Sequence, residues 1–204
     1  MLIRFFDIVI SLFALVVLSP VLIVLWMLIL CIDGSPAVFA QNRSGKNFKI
    51  FRIYKFRTML RDSEDEKGVT TGSNDSRITV LGKKLRRYKL DELPQFFNVL
   101  SGTMSVVGSR PQVPYYAEKF ESLYKQILVL KPGILSPSAI DYSNEEDILS
   151  ETSDPVSYYE TILIPVKCAM DIEMVRKFGL KLYCNTIISF LAQTVFGSAS
   201  SKNK

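Results

Sequence analysis

At 204 residues and 23.1 kDa the chain has room for one domain, or one domain with a small anchor, and is too short for a large multidomain enzyme. Apolar residues make up 48% and charged residues 22%, which excludes a disordered or low-complexity chain, and the lack of any histidine excludes Ser-His-Asp and Cys-His catalysis and His-ligated zinc. The net charge of +5 divides into −1 over residues 1–40, +9 over 41–90 and −3 over 91–204, so a basic block follows a greasy start and suits an anionic membrane surface, phosphates or plain solvation.

Residues 8–32 are 25 positions without a formal charge, a reach of roughly 37 Å as one helix, enough for a ~30 Å hydrocarbon core. Ser19-Pro20 interrupts the run near its middle, where proline removes a backbone donor and crowds the preceding turn. The halves, 8–18 and 21–32, are each too short to cross. Two topologies are therefore open: a kinked spanning helix, or a re-entrant helix-break-helix that returns to the face it entered. Arg4 and Asp7 are spaced to pair at the interface, and Asp33-Gly34-Ser35-Pro36 marks the exit. Arg43, Lys46, Lys49, Arg52 and Lys55 place the downstream domain on the cytoplasmic side under the positive-inside rule. A cleaved signal peptide fits less well, because the apolar region exceeds a signal core of about 7 to 15 residues and strongly basic sequence succeeds it. Cys31, Cys168 and Cys184 lie too far apart for a CxxC site. A reduced compartment is the simpler reading, with a Cys168 to Cys184 bridge left open.

Residues 48–57 alternate apolar and basic side chains behind the turn Arg43-Ser44-Gly45-Lys46-Asn47, which predicts a β-hairpin. Phe48, Ile50, Arg52, Tyr54 and Phe56 fall on one face. Lys49, Phe51, Ile53, Lys55 and Arg57 fall on the other, where the cations either hold phosphate oxygens or are merely solvated. Residues 61–77 carry no apolar period and read as a mobile loop that could serve as a lid. Helical spacing resumes at 81–88 and again from Asp91, with Leu90, Leu93, Phe97 and Leu100 in step and Pro94 in the first turn.

Asp91 and Glu92 thus fall at a helix start, where an acidic N-cap is ordinary chemistry. Arg86, Arg87 and Lys89 precede the pair, and Gly108-Ser109-Arg110-Pro111 comes after it. In that company the pair also reads as a carboxylate nucleophile among phosphate-binding cations, with a divalent metal and a diphosphate substrate, a phosphoryl-transfer centre that needs no histidine. Residues 145–154 read as a solvated acidic loop, 186–196 as an apolar helix too short to span, in the core or at an interface, and 197–204 as a disordered tail.

Phe56-Arg57-Thr58-Met59, Arg77-Ile78-Thr79, Leu85-Arg86, Leu90-Asp91-Glu92-Leu93-Pro94-Gln95, Asn98-Val99-Leu100-Ser101-Gly102-Thr103-Met104-Ser105 and Val107-Gly108-Ser109-Arg110-Pro111 occur in order. Together they resemble the monotopic phosphoglycosyl transferases, the bacterial sugar transferase family, over residues 4–133, and specifically its small form. The resemblance implies an α+β, mostly helical fold. A re-entrant membrane helix-break-helix would occupy residues 1–36, built on Ser19-Pro20 with Arg4 and Asp7 near its start. A catalytic domain would come next over 37–196, with a small β-hairpin and amphipathic interfacial helices around the active site.

The implied reaction moves a sugar 1-phosphate from a UDP-sugar to polyprenyl (undecaprenyl) phosphate and releases UMP, on the cytoplasmic face of the bacterial inner membrane. It is the first membrane step of glycan assembly, its product passing to downstream glycosyltransferases. Asp91 matches the family's nucleophile, which forms a covalent phosphosugar intermediate in a ping-pong mechanism, and Glu92 the second acid of the dyad. Mg²⁺ is expected beside Asp91. Arg86 and Arg110 match arginines near the substrate phosphates, with Lys55 and Arg57 as further candidates. Two motifs depart from the family: Gly108-Ser109-Arg110-Pro111 replaces Gly-Pro-Arg-Pro, and Pro132-Gly133-Ile134-Leu135-Ser136 replaces Pro-Gly-Ile-Thr-Gly. The rival reading is a non-catalytic membrane-anchored scaffold with a basic surface, in which Asp91 only caps a helix. The basic block carries no recognised nucleic-acid-binding motif.

Overall fold

The computed structural model describes residues 1–61 and 75–196, so most of the loop expected over 61–77, and the tail at 197–204, lie outside the described residues. Helices α1 (Leu2–Val17) and α2 (Ser19–Ile32) meet at Leu18 with a 62° bend. Pro20 lies in the first turn of α2, where its missing N–H removes no helical bond. Ser19 Oγ donates to Val16 O at 2.8 Å and so satisfies a carbonyl at the end of α1. Among the described residues no single helix is long and apolar enough to cross a membrane; the bent pair passes only when both halves are taken together. Leu12, Phe13, Val16, Ile23 and Val24 are exposed on the pair, uncovered by the other described residues.

Both ends of this helical pair are tied to the same body. Arg4 donates to Val99 O (2.5 Å) and Leu100 O (2.7 Å), and Asp7 accepts from Ser105 Oγ (2.8 Å), Val106 N (2.8 Å) and Tyr183 OH (2.9 Å). Arg4 and Asp7 therefore do not pair with each other as their spacing suggested. A buried carboxylate needs several donors, and the strand at 105–107 supplies two of them. At the other end, Arg57 Nη2 donates to the carbonyls of Asp33 and Gly34, and Thr79 Oγ1 donates to Asp33 Oδ2 at 2.9 Å.

The predicted hairpin forms from β1 (Val38–Ser44) and β2 (Ile50–Phe56), antiparallel with Val38 opposite Phe56 and Ser44 opposite Ile50. Ile53 and Phe56 are buried while Ile50, Arg52 and Tyr54 face outward. Thr79 caps α3 (Val80–Arg87) by accepting from Gly82 N, and Gly82 sits so close to the Thr58 carbonyl that a Cβ would lie 2.1 Å from its oxygen. A single 3-10 turn, Leu90–Glu92, precedes α4 (Gln95–Ser101). Strand β3 (Ser105–Val107) then runs parallel to β4 (Gly133–Leu135), with α5 (Pro114–Lys119) and α6 (Glu121–Ile127) between them. Helices α7 (Pro137–Asp141), α8 (Glu145–Ser150) and α9 (Pro155–Tyr158), a π turn at Tyr159–Leu163, α10 (Ile164–Arg176) and α11 (Leu180–Phe196) complete an α+β fold that is mostly helical.

Three apolar clusters hold these pieces. Ile53, Val99, Met104, Val107 and Tyr183 form the centre, against which Ile3, Phe6 and Ile10 of α1 pack. Leu25 and Ile29 of α2 close on Phe56 and Leu85, and Tyr116, Tyr124, Ile127, Leu149 and Ile164 form the third group. The acidic stretch at 145–154 is not a loop: α8 buries Leu149 in that third group, and Asp154 Oδ1 accepts from Ser157 N at 3.0 Å to start α9. The last helix begins before residue 186, burying Tyr183 and Thr186 while Ile188 and Leu191 face outward. All three cysteines are free, so no Cys168 to Cys184 bridge exists.

Candidate active site

The dyad sits on a turn of three residues. Leu90 and Leu93 pack against the α2–α3 cluster, and the tight turn between them leaves Asp91 and Glu92 buried at 6% and 9% exposure. Asp91 does not act as a helix cap. Lys89 and Pro94 hold the cap positions, neither with a side-chain cap, and the turn is entered through a left-handed Lys89 (φ 55°) rather than from the extended residue that an Asp N-cap requires. Nor does one helix run from Asp91: the turn and α4 are separate elements joined at Leu93-Pro94.

Three elements bring cations to this turn. Lys55, on the Ile53 side of β2, donates to Glu92 Oε1 at 2.9 Å. Arg110, just beyond β3, donates from Nη2 to Glu92 Oε1 at 2.6 Å and from Nη1 to Oε2 at 3.3 Å. Arg86 of α3 donates from Nε to Thr58 Oγ1 at 2.9 Å and from Nη1 to Glu146 Oε1 at 3.4 Å. Arg57 is not drawn in; it is bonded to the carbonyls at the exit of α2, and it is not among the charges acting most on Asp91.

The two carboxyls are treated differently. Burial pushes both up, but for Glu92 the adjoining Arg110 and Lys55 outweigh it and hold the carboxyl well below the usual range. For Asp91 burial wins: its pKa is raised, opposed by Lys55, Arg86 and Arg110 and reinforced by Glu92. Asp91 Oδ1 is buried and has no hydrogen-bond partner. Glu92 is thus fully engaged, while Asp91 keeps a bare, basic oxygen among cations. Among the described residues no three metal-ligating side chains gather. An unpartnered carboxylate oxygen suits an ion such as Mg²⁺, which takes one or two carboxylates and fills its remaining positions with substrate phosphate and water.

Several supporting residues escaped the sequence reading. Asn98 pins α4 to β2, accepting from Tyr54 N (2.9 Å) and donating to Arg52 O (2.7 Å), which fixes Lys55 relative to the dyad. The sequence marks it only as the first residue of one of the motifs, with no role attached. Asp171 of α10 accepts from Ser138 Oγ at 2.7 Å and is pushed up to about 6 by burial, while Ser138 and the Arg110 backbone N–H favour its charged form. The acidic α8 also faces the site: Glu146 meets Arg86, and Glu145 pairs with Lys167. Arg43, read in the sequence as a cation of the basic block and of the hairpin turn, feels Arg110 and Glu92.

A sequence model of the bacterial sugar transferase family matches residues 1–197. The chain is 38% identical over 159 residues to a UDP-glucose:undecaprenyl-phosphate glucose-1-phosphate transferase of Klebsiella pneumoniae, a match covering 76% of this chain and 34% of that protein. It is 49% identical over 113 residues to the galactosyl transferase CpsE of Streptococcus agalactiae, covering 50% and 25%. A putative undecaprenyl-phosphate N-acetylgalactosaminyl 1-phosphate transferase of Bacillus subtilis is 41% identical over 119 residues, covering 58% and 66%. The match thus spans about a quarter to a third of the first two proteins.

Proposed function

Because the chain belongs to the bacterial sugar transferase family, we propose that it moves a sugar 1-phosphate from a UDP-sugar to polyprenyl phosphate and releases UMP, with Asp91 as the nucleophile. The names of the relatives from Klebsiella and Bacillus support this class of reaction. The observation that carries the reading is the contrast within the dyad: Asp91 Oδ1 is buried without a partner, while Glu92 is saturated by Lys55 and Arg110. A desolvated carboxylate with a raised pKa is a stronger nucleophile than one in water. A scaffold that used Asp91 only as a cap has no support in a turn that it does not cap.

In the first displacement an Asp91 oxygen attacks the sugar-linked phosphorus of the donor. The bond from that phosphorus to the bridging oxygen breaks, and UMP leaves with the electron pair. In the second, an oxygen of the lipid phosphate attacks the same phosphorus and expels the Asp91 carboxylate, giving a polyprenyl diphosphate sugar. Neither step requires a proton donor, which suits a chain without histidine. Arg110, still 38% exposed along its side chain, and Arg86 would hold phosphate oxygens while Glu92 keeps Lys55 and Arg110 in place. Asp91 and the donor's diphosphate oxygens would hold Mg²⁺, which supplies positive charge against the repulsion between two anions.

The bent α1–α2 pair would be a re-entrant anchor that keeps this site at headgroup depth on the cytoplasmic face of the inner membrane. Its support is that Arg4, Asp7 and Asp33, at opposite ends of the pair, all bond the same body, whereas a spanning helix would carry its ends to opposite faces. The test uses purified protein with a panel of UDP-sugars, polyprenyl phosphate and Mg²⁺. UMP release by wild-type protein and none by Asp91→Asn, with labelled sugar phosphate trapped on wild-type protein alone, is the expected result. UMP release undiminished in Asp91→Asn would sink the mechanism.

A further inference from the structure

We propose that Arg43 is a further anion-binding residue of this site, taking an oxygen of the donor's diphosphate beside Arg110; the proposal rests on the phosphoglycosyl transfer reading. The hairpin register places it. Arg43 stands opposite Phe51, Gln41 opposite Ile53 and Phe39 opposite Lys55, and directly opposed residues of a sheet share a face. Arg43, Gln41 and Lys55 therefore project from the face that reaches Glu92. The end of β1 also grips the segment after Arg110: Ser44 N donates to Gln112 O at 2.8 Å, and Arg43 Nη1 reaches Pro111 O at 3.4 Å.

Among the described residues Arg43 has no paired counter-charge. Its Nη2 donates to the neutral Gln41 Oε1 at 2.6 Å, its contact with Pro111 is to a carbonyl, and its Nε is buried with no partner. The carboxylate that acts most on it is Glu92, both of whose oxygens are already taken by Lys55 and Arg110. Burial first, and then Arg110, push Arg43 down to about 10, which still leaves it charged at neutral pH. Two guanidiniums and an ammonium set beside the Asp91–Glu92 pair, with Glu92 already saturated, are costly in the protein alone. An entering anion reverses that cost. A diphosphate carries enough oxygens to meet Arg43 and Arg110 together, and a planar guanidinium fits phosphate with two parallel N–H donors.

The experiment uses the full chain in nanodiscs. Kinetics of UMP release are paired with calorimetric titration of UDP, and melting temperature serves as a folding control. In Arg43→Gln the KM for the UDP-sugar is expected to rise roughly tenfold or more, with UDP affinity falling by a similar factor and the KM for polyprenyl phosphate unchanged. Arg43→Lys recovers part of the loss. Wild-type UDP affinity and donor KM in Arg43→Gln would overturn the proposal, as would a fall in kcat with donor KM unmoved, which marks a purely structural tie. Where Arg43→Gln does not fold, Arg43→Lys decides, since it keeps the charge and loses the fork; an unchanged donor KM there overturns the proposal too. If wild-type protein turns over no donor, the transfer reading fails first, and UDP titration of wild type against Arg43→Lys still decides the role of Arg43.

Discussion

Arg110 clasps Glu92 with both terminal nitrogens, at 2.6 and 3.3 Å, while Lys55 reaches the same Oε1 at 2.9 Å. Removing that charge leaves two cations facing each other. Glu92→Gln is expected to destabilise the fold by about 3 kcal/mol, the low end for a broken buried pair because Arg110 keeps access to water, and to abolish most UMP release. The folded pKa of Glu92 is depressed, so its contribution is present above its usual 4.5 and is lost as pH falls through the folded value. Urea unfolding of wild type and variant at pH 7, repeated in acid, should show the difference shrinking as the medium becomes acidic.

Asp91 behaves in the opposite sense. Its folded pKa is raised above 3.8, so the cost of burying its charge is absent below pH 3.8 and complete once pH exceeds the folded value. Asp91→Asn is therefore expected to be more stable than wild type at neutral pH, by on the order of 1 kcal/mol, and no more stable in strong acid. Its UMP release should fall at least a thousandfold. Paired unfolding and activity measurements on one preparation would show the stability gain and the loss of catalysis together; a destabilised Asp91→Asn at pH 7 would contradict this account.

How far the sequence reached depended on the range of each interaction. The hairpin was legible because period-two alternation is local, and the break at Ser19-Pro20 because proline acts within one turn. The motif pointed to Asp91, but the bare oxygen that distinguishes it from Glu92 depends on β2 and the segment after β3 arriving from elsewhere in the chain. The partners of Asp7 lie 98, 99 and 176 residues away, which no spacing rule anticipates. In α8 the run of acids hid Leu149, the one residue of that helix that is buried. Arg43 reads as a turn cation until the register sets it on the face of Lys55.

Asp7 joins α1 to β3 and α11, and its loss would orphan three donors at once. Asp7→Ala is expected to cost about 3–5 kcal/mol, with Ser105 Oγ, Val106 N and Tyr183 OH left without their acceptor. Tyr183→Phe removes only one of these bonds and should cost about 1 kcal/mol. Thermal unfolding of both variants separates the three bonds; equal losses would mean that the Tyr183 hydroxyl carries the whole effect and that the bonds from Ser105 Oγ and Val106 N add nothing.

Asp171 supplies a test that lies close to the site without touching a substrate. Its carboxyl, pushed up to about 6 by burial, accepts from Ser138 Oγ and is favoured by the backbone N–H of Arg110, so it braces the segment that carries Arg110. The folded value lies above the usual 3.8, so the burial cost begins as pH rises past 3.8 and is complete above about 6. Asp171→Asn keeps an acceptor oxygen for Ser138 Oγ and sheds the charge. It should therefore be more stable than wild type at pH 8, by up to about 3 kcal/mol, and equal to it at pH 3. Asp171→Ala leaves Ser138 Oγ without its acceptor and should be less stable than wild type by about 2 kcal/mol at pH 3, a deficit that shrinks or reverses toward pH 8 because it sheds the same buried charge. Unfolding curves of the three proteins between pH 3 and pH 8 check the sign, and an Asp171→Asn variant that loses stability at pH 8 would show that the charge itself, rather than the acceptor, holds the Arg110 segment.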